Sequence, residues 1–267
     1  MKAGTVDYLD EGSGPAVVLL HAFPLSRLMW REQLRHLAGR ARVLAPDLGG
    51  FGASGAFDPG NDGPVTMEKL ADDVAAMMDA AQVAHALVAG VSMGGYVALA
   101  LAARHRGRIG ALLLADTRAE ADSAENAAGR EAAARKALAE GSAAHAEGLS
   151  GRLLGTTSLR ERPALVAEVR GWISAAPAAA FAAGQRGMAL RADRRDELAA
   201  IAVPTAVLVG AEDVLTPPEA ARVLATGIAG ATLHVLEGAG HLSQLETPGE
   251  WNAALDGLLE RYSALTP

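Results

Sequence analysis

At residues 85–104 an apolar run passes into a helix-forming run with no loop between them. The junction reads Gly90-Val91-Ser92-Met93-Gly94-Gly95. This is G-x-S-x-G between a predicted strand and a predicted helix, a context that matters more than the letters. A serine on so sharp a turn adopts a strained backbone, and the flanking glycines leave room for strand and helix to approach closely. The hydroxyl is then presented above a sheet at a helix N-terminus. There the Met93 N–H and the helix dipole favour a developing oxyanion.

The rest of the chain supplies the sheet that such a turn needs. Residues 16–23, 42–48, 85–92, 109–117, 205–210 and 231–236 are short apolar runs and read as strands. Helical spacing is read over 29–37, over 93–104, and after Thr66, where Met67, Leu70, Val74, Met77 and Met78 share one face. Thr216-Pro217-Pro218-Glu219 and Thr247-Pro248-Gly249-Glu250 read as capping boxes opening two later helices. From 118 to 200 the chain is alanine-rich with no convincing strand. The expectation is an α/β fold with a mostly parallel sheet flanked by helices. Residues 1–117 and 201–267 would form its core domain, and 118–200 a helical cap inserted in it.

Composition excludes several functions. With no cysteine, disulfides, thiolate metal sites and cysteine nucleophiles are ruled out. The net charge is −7 and no long basic run occurs, which argues against nucleic acid and anionic membranes as partners. No segment approaches the ~20 apolar residues of a membrane span, and the N-terminus lacks a signal peptide's apolar stretch. A cytoplasmic protein is expected. No metal-binding cluster of histidines and acids is seen, and the Gly90–Gly95 run lacks the Gly-Lys-Ser/Thr ending of a phosphate loop.

A serine hydroxyl needs an adjacent base. Of seven histidines, His36 and His105 lie in charged helical stretches, His85 and His145 lack supporting context, His234 sits inside a strand pattern, and His21 ends a strand. His241 lies in the turn after the last strand, on the edge where strand C-termini converge, and completes the chain order serine, acid, histidine. The acid that orients it is read as Asp213, after the 205–210 strand. Asp116 also ends a strand and competes, and Glu212 is a weaker rival.

With these residues in place, the chain resembles the α/β-hydrolases, in the branch of small esterases, enol-lactonases and cofactor-free haloperoxidases. His21-Ala22-Phe23-Pro24 is similar to that family's oxyanion segment, with Ala22 where glycine is usual. The resemblance implies that the Phe23 and Met93 N–H groups form the oxyanion hole. Asp47-Leu48-Gly49-Gly50-Phe51-Gly52-Ala53-Ser54 resembles the family's D-x-R-G-x-G-x-S, with Gly49 replacing arginine, and is read as turn glycines beside the site.

Relatives that open epoxides or displace halide carry aspartate at the turn, whereas Ser92 fits acyl transfer. The expected function is a serine carboxylic-ester hydrolase acting on small esters or lactones without a cofactor. The rivals are a perhydrolase or haloperoxidase-like activity on the same triad, and a binding protein that kept the fold but not the turnover. Pocket residues are expected at His21, Trp172, Phe181 and Leu242. The charges of 118–200 nearly balance, so its arginines read as solvated helix faces rather than an anion pocket.

Overall fold

The computed structural model describes residues 1–55 and 63–265 of the chain. It opens with an antiparallel pair, β1 (Lys2–Ala3) and β2 (Val6–Gly12), which the search for apolar runs misses. The signal in β2 is alternation: Val6 and Tyr8 are buried, while Asp7 between them is only half-buried.

The predicted order follows. β3 (Ala16–Leu20) leads through a 3₁₀ turn at Arg27–Trp30 to α1 (Arg31–Leu37), β4 (Arg42–Pro46), α2 (Met67–Ala80), β5 (Ala86–Val91), α3 (Met93–Arg104) and β6 (Ile109–Ala115). The next stretch carries α4 (Ala124–Glu140), α5 (Ala146–Leu153), α6 (Thr156–Glu161), α7 (Pro163–Ala175) and α8 (Ala178–Ala189), with no strand among the described residues. β7 (Thr205–Gly210), α9 (Pro218–Gly227), β8 (Thr232–Leu236), α10 (Ser243–Glu246) and α11 (Pro248–Leu265) complete the chain. The eight strands form one sheet in the order β1-β2-β4-β3-β5-β6-β7-β8. It is antiparallel at β1, β2 and β4 and parallel from there on.

Successive strand residues face opposite sides, so each central strand feeds two cores. Val18 and Leu20 of β3 join α2 and α3 on one face; Val17 and Leu19 join Trp30, Trp251 and Leu255 on the other. Central strands buried on both faces explain why the apolar runs show no alternation. The anticipated stripe of α2 (Met67, Leu70, Val74, Met77, Met78) is buried, and Thr66 caps the helix by accepting from the Lys69 N–H at 3.2 Å.

Neither predicted capping box forms as read. α9 begins after Pro217 with no side-chain cap, because the Thr216 hydroxyl is used elsewhere, donating to Asp213 at 2.6 Å. The Thr247 hydroxyl donates back to the Ser243 carbonyl at 3.3 Å.

The helices between β6 and β7 lie against the C-terminal edge of the sheet. Phe181 of α8 packs on Phe23, ring centres 4.7 Å apart. Where α5 gives way to α6, Gly155 N–H donates to Glu246 at 2.8 Å, and Thr157 N–H to Glu212 at 2.8 Å. Glu212, the weaker acid candidate, is thereby committed to the helical segment: it also accepts from the Thr156 and Thr157 hydroxyls.

Candidate active site

Ser92 sits between β5 and α3 with φ 55° and ψ −116°, a left-handed conformation rare for a non-glycine residue. The backbone around it fixes that strain in place. Ser92 N–H donates to Ala115 O of β6 at 3.0 Å, and Gly95 and Tyr96 N–H return to Ser92 O at 2.9 and 3.1 Å. The glycines are required by close approach. A Cβ on Gly90 would lie 2.3 Å from Gly94 O, and one on Gly94 only 2.0 Å from Leu20 O. The turn predicted from the motif is thus present, with the hydroxyl at a helix N-terminus above the central strands.

His241, in the loop after β8, reaches Ser92 Oγ with Nε2 at 2.7 Å. Its Nδ1 lies 2.8 Å from Asp213 Oδ2 and 3.1 Å from Thr216 Oγ1. A carboxylate only accepts, so Nδ1 carries the proton and donates to Asp213, which leaves Nε2 bare to accept from the serine. Asp213 is itself held by the Leu215 and Thr216 N–H groups at 2.8 and 3.0 Å and by the Thr216 hydroxyl. Burial works against its charge, but the His241 charge and these donors outweigh it and hold the carboxyl below its usual value. On His241, burial opposes protonation, yet the Asp213 charge and hydrogen bond prevail and raise the imidazole above its usual value. Arg118 pulls the other way. Thr216 is a site residue that the sequence reading missed, since its place in a Thr-Pro-Pro-Glu run pointed to helix capping.

Asp116, the rival acid, does not reach His241. It follows β6 with φ 48°, and its carboxylate accepts from Gly210 N–H at 2.9 Å and from Ser243 N–H and Oγ at 3.2 and 2.5 Å. It therefore braces the end of β7 against the histidine loop. Complete burial, with the Asp213 charge nearby, pushes its pKa up to about 7.

The Phe23 and Met93 N–H groups, candidates for an oxyanion hole, donate to no acceptor among the described residues. Phe23 is supported from the side by the 47–54 segment. Gly49, Gly50 and Gly52 take positive φ, and the buried Phe51 ring stands edge-on to Phe23 at 5.7 Å. Asp47 closes that turn by accepting from Arg27 and Ala53 N–H, both at 2.8 Å.

A cavity of about 480 Å³ opens on Ser92 and His241. Its apolar wall is Phe23, Tyr96, Leu149, Leu153 and Met188. The four residues expected at the pocket are not on that wall. His21 is fully buried and accepts from the Leu48 N–H at 2.7 Å through Nε2, so its ring serves the turn after β4. Burial keeps its pKa below the ordinary histidine value. Leu242 is consumed in the core beneath the histidine loop. Phe181 is fully buried between Phe23 and His145. Trp172 of α7 is half-buried against the core cluster that holds Trp30 and Trp251, with Arg31 above its ring at 5.6 Å. Both aromatics anchor the helices rather than close the site.

The arginines also depart from expectation. Arg118, Arg130, Arg152 and Arg191 line the cavity, and of these only Arg152 is also exposed on a helix face. Arg130 and Arg191 share one buried carboxylate, Asp122; Arg191 reaches it at 2.8 Å and lies 4.5 Å over the Tyr96 ring. A balanced charge count says nothing of which side of a helix each charge faces.

Known proteins share this architecture. Residues 15–248 match the family described by the alpha/beta hydrolase fold. The chain is 27% identical to 3-oxoadipate enol-lactonase 2 of Acinetobacter baylyi, over 93% of its own length and 90% of the relative's. Among solved structures it resembles a malate-bound thermophilic esterase from Thermogutta terrifontis, with TM-score 0.92, 37% identity and 97% and 94% of the two chains covered. It also resembles the enol-lactonase of Burkholderia xenovorans, with TM-score 0.88, 32% identity and 96% of each chain covered. No helix among the described residues is long and apolar enough to cross a membrane.

Proposed function

The chain belongs to the α/β-hydrolase family, and from that membership we propose that it is a serine carboxylic-ester hydrolase of small esters or lactones. The observation that carries the proposal is the unbroken series from Ser92 Oγ through His241 to Asp213, at 2.7 and 2.8 Å, on the floor of a cavity. In this reading Ser92 Oγ attacks the substrate carbonyl as its proton passes to His241 Nε2, and the carbonyl oxygen becomes an oxyanion received by the Phe23 and Met93 N–H groups. Asp213 holds the imidazole in the tautomer that can accept, and stabilises the imidazolium. The tetrahedral adduct collapses, the alkoxide leaves with the proton from His241, and an acyl group remains on Ser92. Water, deprotonated by His241, attacks that acyl group, and the acid departs as the proton returns to Ser92. Residues 118–200 act as a cap that supplies the far wall of the cavity.

The relatives' printed activities, ester and enol-lactone hydrolysis, fall within this chemistry. Labelling with a fluorophosphonate tests it directly. One adduct on Ser92 is expected, together with hydrolysis of short nitrophenyl esters or of lactones. Ser92→Ala is expected to lose both label and turnover, by four orders of magnitude or more, as nucleophile deletions in such triads do. A Ser92→Ala protein that kept a hundredth of the wild-type rate would remove Ser92 from the role.

A further inference from the structure

The cavity over Ser92 carries a charge that the chain as a whole does not. The chain is net negative at −7, yet four guanidiniums line the cavity against two carboxylates, Asp122 and Glu125. Asp122 is spent on Arg130 and Arg191 together. Arg118 has no carboxylate partner among the described residues; its one hydrogen bond goes to the Leu215 carbonyl, in the turn that holds Asp213. Its charge is felt at His241. Arg152, on the exposed face of α5, makes no hydrogen bond or ion pair among the described residues. Two guanidiniums with open donors therefore face a cavity that holds the nucleophile. Such forks match a carboxylate in both geometry and charge.

Resting on the hydrolase reading above, we propose that this site is built for esters or lactones bearing a carboxylate remote from the scissile carbonyl, held by Arg118 and Arg152. The ester carbonyl sits at Ser92, beside the two free N–H groups, and the second carboxylate reaches toward the arginines. Specificity then follows from pairing. A neutral substrate of the same shape leaves both guanidiniums without an anion, whereas the anionic one satisfies them. The net positive wall also concentrates anions at the mouth, an effect that salt screens.

The test is a matched pair: monomethyl glutarate, and methyl 5-methylhexanoate, in which an isopropyl group replaces the carboxylate. Product is followed by chromatography at fixed ionic strength. Wild type is expected to favour the anionic ester in kcat/KM by tenfold or more, less at molar salt. Arg152→Gln is expected to cut that ratio about tenfold, the scale of one charge-assisted hydrogen bond. This side chain makes no hydrogen bond or ion pair to another described group and is exposed, so its replacement removes no polar bond of the fold, and thermal unfolding checks the rest. Arg118→Gln should cut the ratio as far, with thermal unfolding checked because Arg118 also holds the Leu215 carbonyl. A wild-type ratio near or below one, or a ratio that neither variant changes, overturns the subsite while leaving the hydrolase reading intact. If wild type cleaves neither ester and no fluorophosphonate adduct forms, the hydrolase reading fails. Calorimetric titration with sodium glutarate then decides the subsite alone: binding that Arg152→Gln weakens upholds it, and no binding to wild type overturns it.

Discussion

The cavity has two walls, and they are built on different principles. The floor comes from the sheet edge, where Ser92, Asp213 and Asp116 are held by backbone and His241 is held in turn by Asp213. Ser92 is locked by bonds to β6 and to its own helix, Asp213 by two N–H groups of its turn, and Asp116 by β7 and the histidine loop. The roof comes from the helices between β6 and β7, and there side chains hold side chains. Asp122 takes two arginines, and Glu131 of α4 pairs with Arg186 of α8 at 2.9 Å. Backbone restraint fixes atoms to fractions of an ångström, as chemistry requires. Side-chain pairing tolerates substitution and sets only what the cavity admits. The floor is therefore suited to an invariant reaction and the roof to a choice of substrate.

The largest effects are expected on the floor. Asp213→Asn should lower kcat by about 10⁴-fold, because an amide favours the wrong imidazole tautomer, as in other Ser-His-Asp sites. Asp116→Asn should cost far less activity. It weakens a brace between Gly210 and Ser243, a loss on the order of 1–3 kcal/mol that should register mainly as a lower unfolding temperature. Kinetics and calorimetry on the two variants measure both. If Asp116→Asn were the more damaging to kcat, the acid would have been assigned to the wrong strand end.

This contrast also explains what was legible in the sequence. The turn at Ser92 could be read because a strained backbone demands glycine at Gly90 and Gly94, and glycine is visible as a letter. His241 and Asp213 could be read because strand ends in a parallel sheet converge. The choice between Asp213 and Asp116 rested on chain order, and the geometry that separates them, Nδ1 at 2.8 Å from Asp213, arises only in the folded molecule. Thr216 was hidden by its prolines. On the roof the helical character was legible, but the inward side of α4 and α8 was not: their buried positions are mostly alanine and glycine, so that side had to come from tertiary packing. Trp172 and Phe181 stand out there by size, and that size serves anchoring: Phe181 packs between Phe23 and His145, and Trp172 lies under Arg31. In the same way, Arg118 and Arg152 could not be told from arginines that do lie in solvent, such as Arg195, paired with Asp193 at 2.6 Å.

A smaller effect concerns pH. A histidine base accepts a serine proton only when neutral, and burial notwithstanding, Asp213 holds the His241 pKa above the ordinary 6.5. The sign follows: raising a base's pKa moves the acid limb to higher pH. kcat/KM is expected to rise through a midpoint above the ordinary histidine value, falling about tenfold per unit below it. Asp116 titrates in the same window, at about 7, so the limb belongs to the coupled groups. Asp116→Asn should sharpen it to a single step without abolishing it. A rate that stays flat from about pH 5 to 8, with chemistry limiting, would exclude a histidine base.

The smallest expected effect divides the roof itself, between residues that face the cavity and residues that anchor the helices. Met188 is buried and lines the cavity, whereas Trp172 lies outside it beneath Arg31. Shortening Met188 to alanine opens room where an acyl chain would extend. Each further methylene accommodated is worth about 1–3 kcal/mol of discrimination. Met188→Ala should therefore move the kcat/KM ratio of decanoate to butyrate esters upward by tenfold or more. Trp172→Ala opens no space in the cavity, and the ratio should stay within about twofold while the unfolding temperature falls, since it removes packing of α7 against the core cluster that holds Trp30 and Trp251, together with the Arg31 contact, itself worth roughly 0.5–1 kcal/mol when partly exposed. The reverse outcome, selectivity shifting with Trp172 and not with Met188, would mean that the helices close further over Ser92 when substrate binds. The roof would then act by moving, and not by the fixed side-chain pairing that now distinguishes it from the floor.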